Sequence, residues 1–225
     1  MTEDGVRAGP GAGLSKARVV REAVRLAATE GIDAVTMRRL GRELRAGAMS
    51  LYHYVANKDE LLAGMLDLVF AEIEAPRVGG DWQVAMRRRS LSARKVLLRH
   101  SWAIALMESR TNPGPANLHH RDAVTGCLRT AGFSIEMTAH ATWLLDSNFY
   151  GFVLQEASLP FYTAEELATM SGDVFLPLLP PEQYPHLSEV ASAPLATGYD
   201  PAAEFAFGLD VILDALERLR GVPGT

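Results

Sequence analysis

A chain of 225 residues with 48% apolar content holds enough material for one large or two small folding units with a buried core, which excludes disorder as the default. Its single cysteine, Cys127, excludes an intramolecular disulfide framework and a cysteine-rich metal site and reads as core filler. No run of about 18 apolar residues suggests a membrane span, and residues 1–13 lack the apolar centre of a signal peptide, so a cytoplasmic protein is expected. The net charge of −5 is unevenly spread: residues 1–60 hold ten Lys and Arg against eight Asp and Glu, and the remainder twelve against nineteen. A mildly basic N-terminal part thus precedes an acidic body.

In chain order, residues 1–13 are rich in Gly and Ala and read as a disordered tail. Ser15 predicts the cap of a first helix with Ala17, Val20, Ala23, Val24 and Ala27 on one stripe, and Gly31 as its stop. Thr36 caps a short second helix whose Met37, Leu40 and Leu44 face inward, with Arg38, Arg39, Arg42 and Arg45 mostly outward. After Arg45-Ala46-Gly47 comes a third short segment, Ala48 to Tyr54. Asn57 caps a fourth helix from Lys58 to about Glu74, ended by Pro76 and Gly79-Gly80.

A long helix is expected from Trp82 to Met107, broken by Asn112-Pro113-Gly114-Pro115. Another runs from about Ala116 to Thr130 and stops at Gly132; the next begins at Ser134 and reaches about Ser158, before Pro160. Residues 171–200 contain five prolines and read as a long loop with one or two helical turns. The last helix spans about Pro201 to Arg220, with Pro at its first turn. No strand-like alternation survives, so the fold class is all-α.

Two short helices joined by three or four residues and backed by a longer one form a helix-turn-helix layout, in which the second helix must reach base edges in the major groove. Ala48, Met49, Ser50 and His53 then face the groove, with Leu51 inward. Arg38 and Arg39 suit phosphate or an adjacent base edge; the hydroxyls of Ser50 and Tyr52 and the Lys58 ammonium suit phosphate. Composition alone allows the bland alternative, in which the arginines form a solvated face and Tyr52 and Tyr54 are packing residues.

The segment from Gly31 to Leu62, above all Ser50-Leu51-Tyr52-His53-Tyr54-Val55 and Asn57-Lys58-Asp59-Glu60-Leu61-Leu62, closely resembles the DNA-binding region of TetR family repressors. Gly132 to Glu156 and the last helix resemble, more weakly, the C-terminal domain of the tetracycline-repressor subgroup. The resemblance implies a three-helix DNA-binding domain at 14–62 and a helical ligand-binding and dimerisation domain at 63–225. It also implies a repressor that binds a palindromic operator as a homodimer, needs no cofactor, and is released by a small-molecule effector. Two departures stand out. The family usually has glycine where Arg45 stands, and Gly47 is expected to absorb the tight geometry. Ala48 and Met49 lack a base-reading amide, which shifts readout towards methyl contacts and DNA shape.

In the body, Phe205, Leu209, Ile212, Leu216 and Leu219 form one stripe of the last helix, widened by Gly208, Leu213 and Ala215 beyond the ~100° that one-sided burial needs. One flank is expected to pack on its own domain and the other on a symmetry mate. His100, Trp102, Met107, Trp143, Asn148, Phe149 and Phe152 mix aromatic area with a few polar groups, as an effector pocket requires. The same spacing also serves plain core. Leu106-Met107-Glu108-Ser109 stands where tetracycline-binding relatives carry a magnesium-holding histidine, so no such effector is implied. His119-His120 point to different helix faces and read as solvated surface, not metal ligands. Two other classes compete: an enzyme, for which there is no phosphate loop, nucleophile elbow or HExxH, and a body that only dimerises.

Overall fold

The computed structural model describes residues 13–108, 114–159, 166, 178–197 and 199–221; residues 1–12 of the tail expected at 1–13, the Asn112-Pro113 break and residues 171–177 lie outside them. All regular structure among the described residues is helical. The head comprises α1 (Lys16–Glu30), a 3₁₀ turn (Ile32–Ala34), α2 (Met37–Glu43) and α3 (Ala48–Leu51). Next come α4 (Lys58–Glu72), α5 (Trp82–Arg99), α6 (Trp102–Glu108), α7 (Pro115–Thr130), α8 (Ile135–Ala157), α9 (Pro185–Thr197) and α10 (Pro201–Leu219).

Local cap chemistry sets most boundaries. Ser15, Thr36, Asn57 and Ser134 each place a side-chain oxygen on a backbone N–H of the first turn, at 3.3, 3.1, 2.8 and 3.0 Å respectively. The buried stripe of α1 is Val19, Val20, Ala23, Leu26 and Ala27, leaving Ala17 exposed.

Two expectations fail. The helix expected over 82–107 breaks at His100, whose backbone (φ −121°, ψ 49°) leaves the helical region without any Gly or Pro to announce it. Its ring turns onto Glu72 of α4 at 3.3 Å and meets Trp102 edge-on. Part of the expected loop at 171–200 is instead α9, in which Pro185 takes the first position, where a fixed φ and a missing N–H cost nothing.

Two hydrophobic cores result. One gathers α1 to α3 with Leu61, Leu62 and Met65 of α4; the other gathers α5, α7, α8 and α10 with Leu66, Val69 and Phe70 of α4 and Ile73 just beyond it. One continuous helix therefore belongs to both, and Trp102 and Leu106 of α6 pack against both as well. Cys127 is buried in the second core, and burial raises its thiol pKa. No helix among the described residues is long and apolar enough to cross a membrane.

Candidate nucleic-acid interface and body cavity

The turn between α2 and α3 is closed by a Schellman arrangement. The Ala46 N–H donates to the Gly41 carbonyl at 2.8 Å, and Arg45 adopts the left-handed conformation at φ 52°. Gly47, with φ −63°, needs no glycine, so the tight geometry falls on Arg45 itself. The glycine that the turn does require is Gly41. A Cβ there would stand 2.8 Å from the Ala46 carbonyl oxygen and 3.3 Å from the Ala48 nitrogen, so its absence lets α3 seat against α2.

Leu51 and Val55 are fully buried and anchor α3. Met49 is 78% exposed and Tyr52 44%; Ser50 and His53 are also exposed, while Ala48 and Tyr54 are half-buried. Lys58 is exposed at the first position of α4. The Asn57 cap there is reinforced by Glu60, which accepts the Ala56 N–H at 2.6 Å and pairs with Lys16. Arg38 is exposed and has no carboxylate partner among the described residues. Arg39 differs: it pairs with Glu30 at 2.7 Å and Glu43 at 3.1 Å, bracing α2 on α1.

In the body, a cavity of about 540 Å³ opens between α4, α6, α7 and α8. Phe70, Met107, Trp143 and Tyr150 give it apolar and aromatic walls; Asn117, Arg121, Thr142, Asp146 and Ser147 give it polar ones. Of the residues expected to form a pocket, Met107 and Trp143 line it. The other five do not, each for a packing reason. His100 and Trp102 are occupied at the α5–α6 break. Phe149 is core, with the Arg89 guanidinium 4.9 Å from its ring centroid. Phe152 packs edge-on to Phe205, and Asn148 lies against Gly208 of α10.

Behind the polar wall, Arg89 is 4% exposed; it pairs with Asp146 at 2.6 Å through Nη2 and donates from Nε to the His120 Nε2 at 3.1 Å. His120 is therefore a buried neutral acceptor rather than solvated surface. Burial and the neighbouring arginine push its pKa down to about 4. In front, Arg121 Nε donates to Asn117 Oδ1 at 3.0 Å. The α7 N-terminus is tied to α4: Asp67 Oδ1 accepts the N–H groups of Ala116 and Asn117 at 2.8 and 3.1 Å. Phe70, Asn117 and Arg121 escaped the sequence reading, since no local signal tells which helix faces meet around a hollow.

The wide apolar arc of α10 divides. Phe205, Leu209, Leu213 and Leu216 are buried within the chain, whereas Phe207 is 69% and Val211 53% exposed. On α8, Ile135, Trp143, Leu144 and Leu154 are also exposed.

Comparison with known proteins bears on this arrangement directly. A profile for "Bacterial regulatory proteins, tetR family" matches residues 19–65, and one for "Tetracyclin repressor-like, C-terminal domain" matches 75–220. The chain belongs to the TetR family. It is a DNA-binding transcriptional regulator. The HTH-type transcriptional repressor DrrR1 of Streptomyces coeruleorubidus is 31% identical over 94% of this chain and 80% of its own. The class A tetracycline repressor of transposon 1721, from Escherichia coli, is 28% identical over 90% of each. Among solved structures, apo ActR from Streptomyces coelicolor superposes with a TM-score of 0.78 at 30% identity, over 94% of this chain and 98% of that one. ActR in complex with actinorhodin superposes at 0.77 and 31%, over 93% and 100%. The first match ends inside α4, the helix common to the two cores, and the second begins just beyond it.

Proposed function

We propose that this regulator is a repressor that binds a palindromic operator as a homodimer in the cytoplasm and leaves it when a small molecule fills the body cavity. Residues 14–62 act as the reader and 63–225 as the sensing and dimerising unit. Ala48, Met49, Ser50, Tyr52, His53 and Tyr54 meet the groove and its edges, with Lys58 and Arg38 on phosphate; Arg39, held by two carboxylates, braces the head. The exposed apolar faces of α8 and α10 supply the dimer contact. ActR, solved in complex with actinorhodin, supports a small-molecule ligand for a chain of this architecture.

The observation that carries the effector reading is the double hydrogen bond from Ala116 and Asn117 to Asp67. Asn117 and Phe70 line the cavity, and Asp67 and Phe70 belong to the helix whose other end begins at Lys58, beside the reader. A ligand that displaces Asn117 or Phe70 acts on α4 without an intermediary. It shifts the heads only by binding the off-DNA arrangement more tightly, and about 1 to 3 kcal/mol of such preference lowers operator affinity about 5- to 150-fold.

The test starts with a thermal-shift screen of metabolites and drug-like compounds, since a ligand bound by the folded body raises its melting temperature. Operator affinity is then measured by fluorescence anisotropy with and without a hit. A fall in affinity that shrinks in Asp67→Ala is expected. Equal affinities with and without every cavity ligand would overturn the reading.

A further inference from the structure

Among the described residues the cavity walls hold one basic and one acidic side chain, Arg121 and Asp146. Asp146 is already neutralised, because the buried Arg89 guanidinium stands 2.6 Å from its Oδ1. Arg89 adds no net charge beyond that pair, and the third member of the cluster, His120, accepts a hydrogen bond from Arg89 and so must be neutral. Among the described residues this leaves one uncompensated charge on the cavity wall, that of the Arg121 guanidinium. Its Nε is held by Asn117, which restrains the plane of the group, and among the described residues both Nη nitrogens keep their N–H donors for a further partner. Three aromatic side chains, Phe70, Trp143 and Tyr150, line the same cavity. A volume of about 540 Å³ suits a molecule of two to four fused or linked rings.

Resting on the effector reading above, we propose that the cavity selects aromatic anions: flat ring systems carrying one carboxylate, sulfonate or acidic phenolate that pairs with Arg121 while the rings lie among Phe70, Trp143 and Tyr150. Arg121 sets the preference for charge, and Arg89 sets it indirectly by cancelling Asp146, which would otherwise attract cations.

Two fluorescent probes share the anilinonaphthalene ring system and differ by one sulfonate group: 8-anilino-1-naphthalenesulfonate and the neutral N-phenyl-1-naphthylamine. Titrated into the full-length protein, the anion is expected to bind about 10-fold more tightly than the neutral probe, with the margin narrowing as salt rises. Arg121→Gln should erase the margin and Arg121→Lys should restore most of it. Ser147→Trp, which fills the cavity from an exposed wall position, should weaken both probes. If Ser147→Trp weakens both probes while Arg121→Gln leaves their ratio unchanged, the charge assignment is wrong and the cavity stands. If Ser147→Trp weakens neither, the cavity is not the ligand site and both readings fall.

Discussion

Head and body are finished by different physics. In the head the charged pairs lie at the surface: Arg25 with Glu22, Arg39 with Glu30 and Lys16 with Glu60. Shape there is set by caps and by one tight turn. In the body Arg89 goes inside to Asp146 and Arg94 is half-buried against Glu156, and α5 reaches α10 through the Trp82 Nε1 bond to Glu217 at 2.8 Å. Exposed pairs of the first kind contribute about 0 to 1 kcal/mol, whereas a buried charge that loses its partner costs several. The head is thus sensitive to backbone geometry and the body to polarity.

That contrast is sharpest on α10, where two apolar positions answer different questions. Leu216→Arg puts a charge into the body core, where the side chain is 1% exposed, and should cost more than about 4 kcal/mol, abolishing the body's thermal transition. Phe207→Arg, on the exposed flank, should leave helicity and melting intact and convert a micromolar dimer to monomer by light scattering. A Phe207→Arg protein that remains dimeric would remove this face from the interface.

In the head the sensitive position carries no side chain. Gly41→Ala forces a methyl group against the Ala46 carbonyl, so a loss of about 1 to 3 kcal/mol is expected, with operator binding abolished in anisotropy titrations while the body keeps its own transition.

Acid should separate the two regions as well. His120 has a folded-state pKa of about 4 against 6.5 when exposed, so between those values the unfolded chain takes up a proton that the folded body refuses. Stability is then complete above pH 6.5 and falls as pH drops towards 4; the loss from this group between pH 7 and pH 5 is about 2 kcal/mol. Denaturant titrations at both pH values should show that part of the loss missing in His120→Gln.

The smallest effect compares two helix ends of like design. Both α2 and α7 close with a bond five residues back, Ala46 to Gly41 and Phe133 to Leu128, and both need a left-handed residue before it. α7 supplies Gly132 at φ 98°, α2 supplies Arg45 at φ 52°. Arg45→Gly should therefore stabilise the head by about 0.5 to 1 kcal/mol, read as a higher denaturant midpoint.

The caps at Ser15, Thr36, Asn57 and Ser134 were legible because an N-cap is a local bargain between one side chain and the next turn. The helix-turn-helix was legible for the same reason, through a short ordered run of residues. What escaped depends on contacts distant in sequence. The break at His100 exists because Glu72 and Trp102 receive its ring, and α9 was hidden by its prolines, Pro185 at the first position, where a helix tolerates one, and Pro194 within the helix. His120 looked like surface beside His119, yet one member of that pair turns inward to serve Arg89. The cavity was half visible from α6 and α8, in Met107 and Trp143; its other walls come from α4 and α7, whose inward faces only packing decides.

The passage of α4 from one core to the other between Met65 and Leu66, within an unbroken helix, also bears on how such a chain can be recombined. A loop between domains would absorb insertions and let reader and sensor be exchanged freely. A helix turns by about 100° per residue, so inserting or deleting one residue in α4 would swing the reader about a quarter turn around the sensor and break Asp67 from α7. Head exchange with a relative must therefore splice inside α4 and preserve its helical phase, and the length of this helix is fixed more tightly than any loop on either side of it.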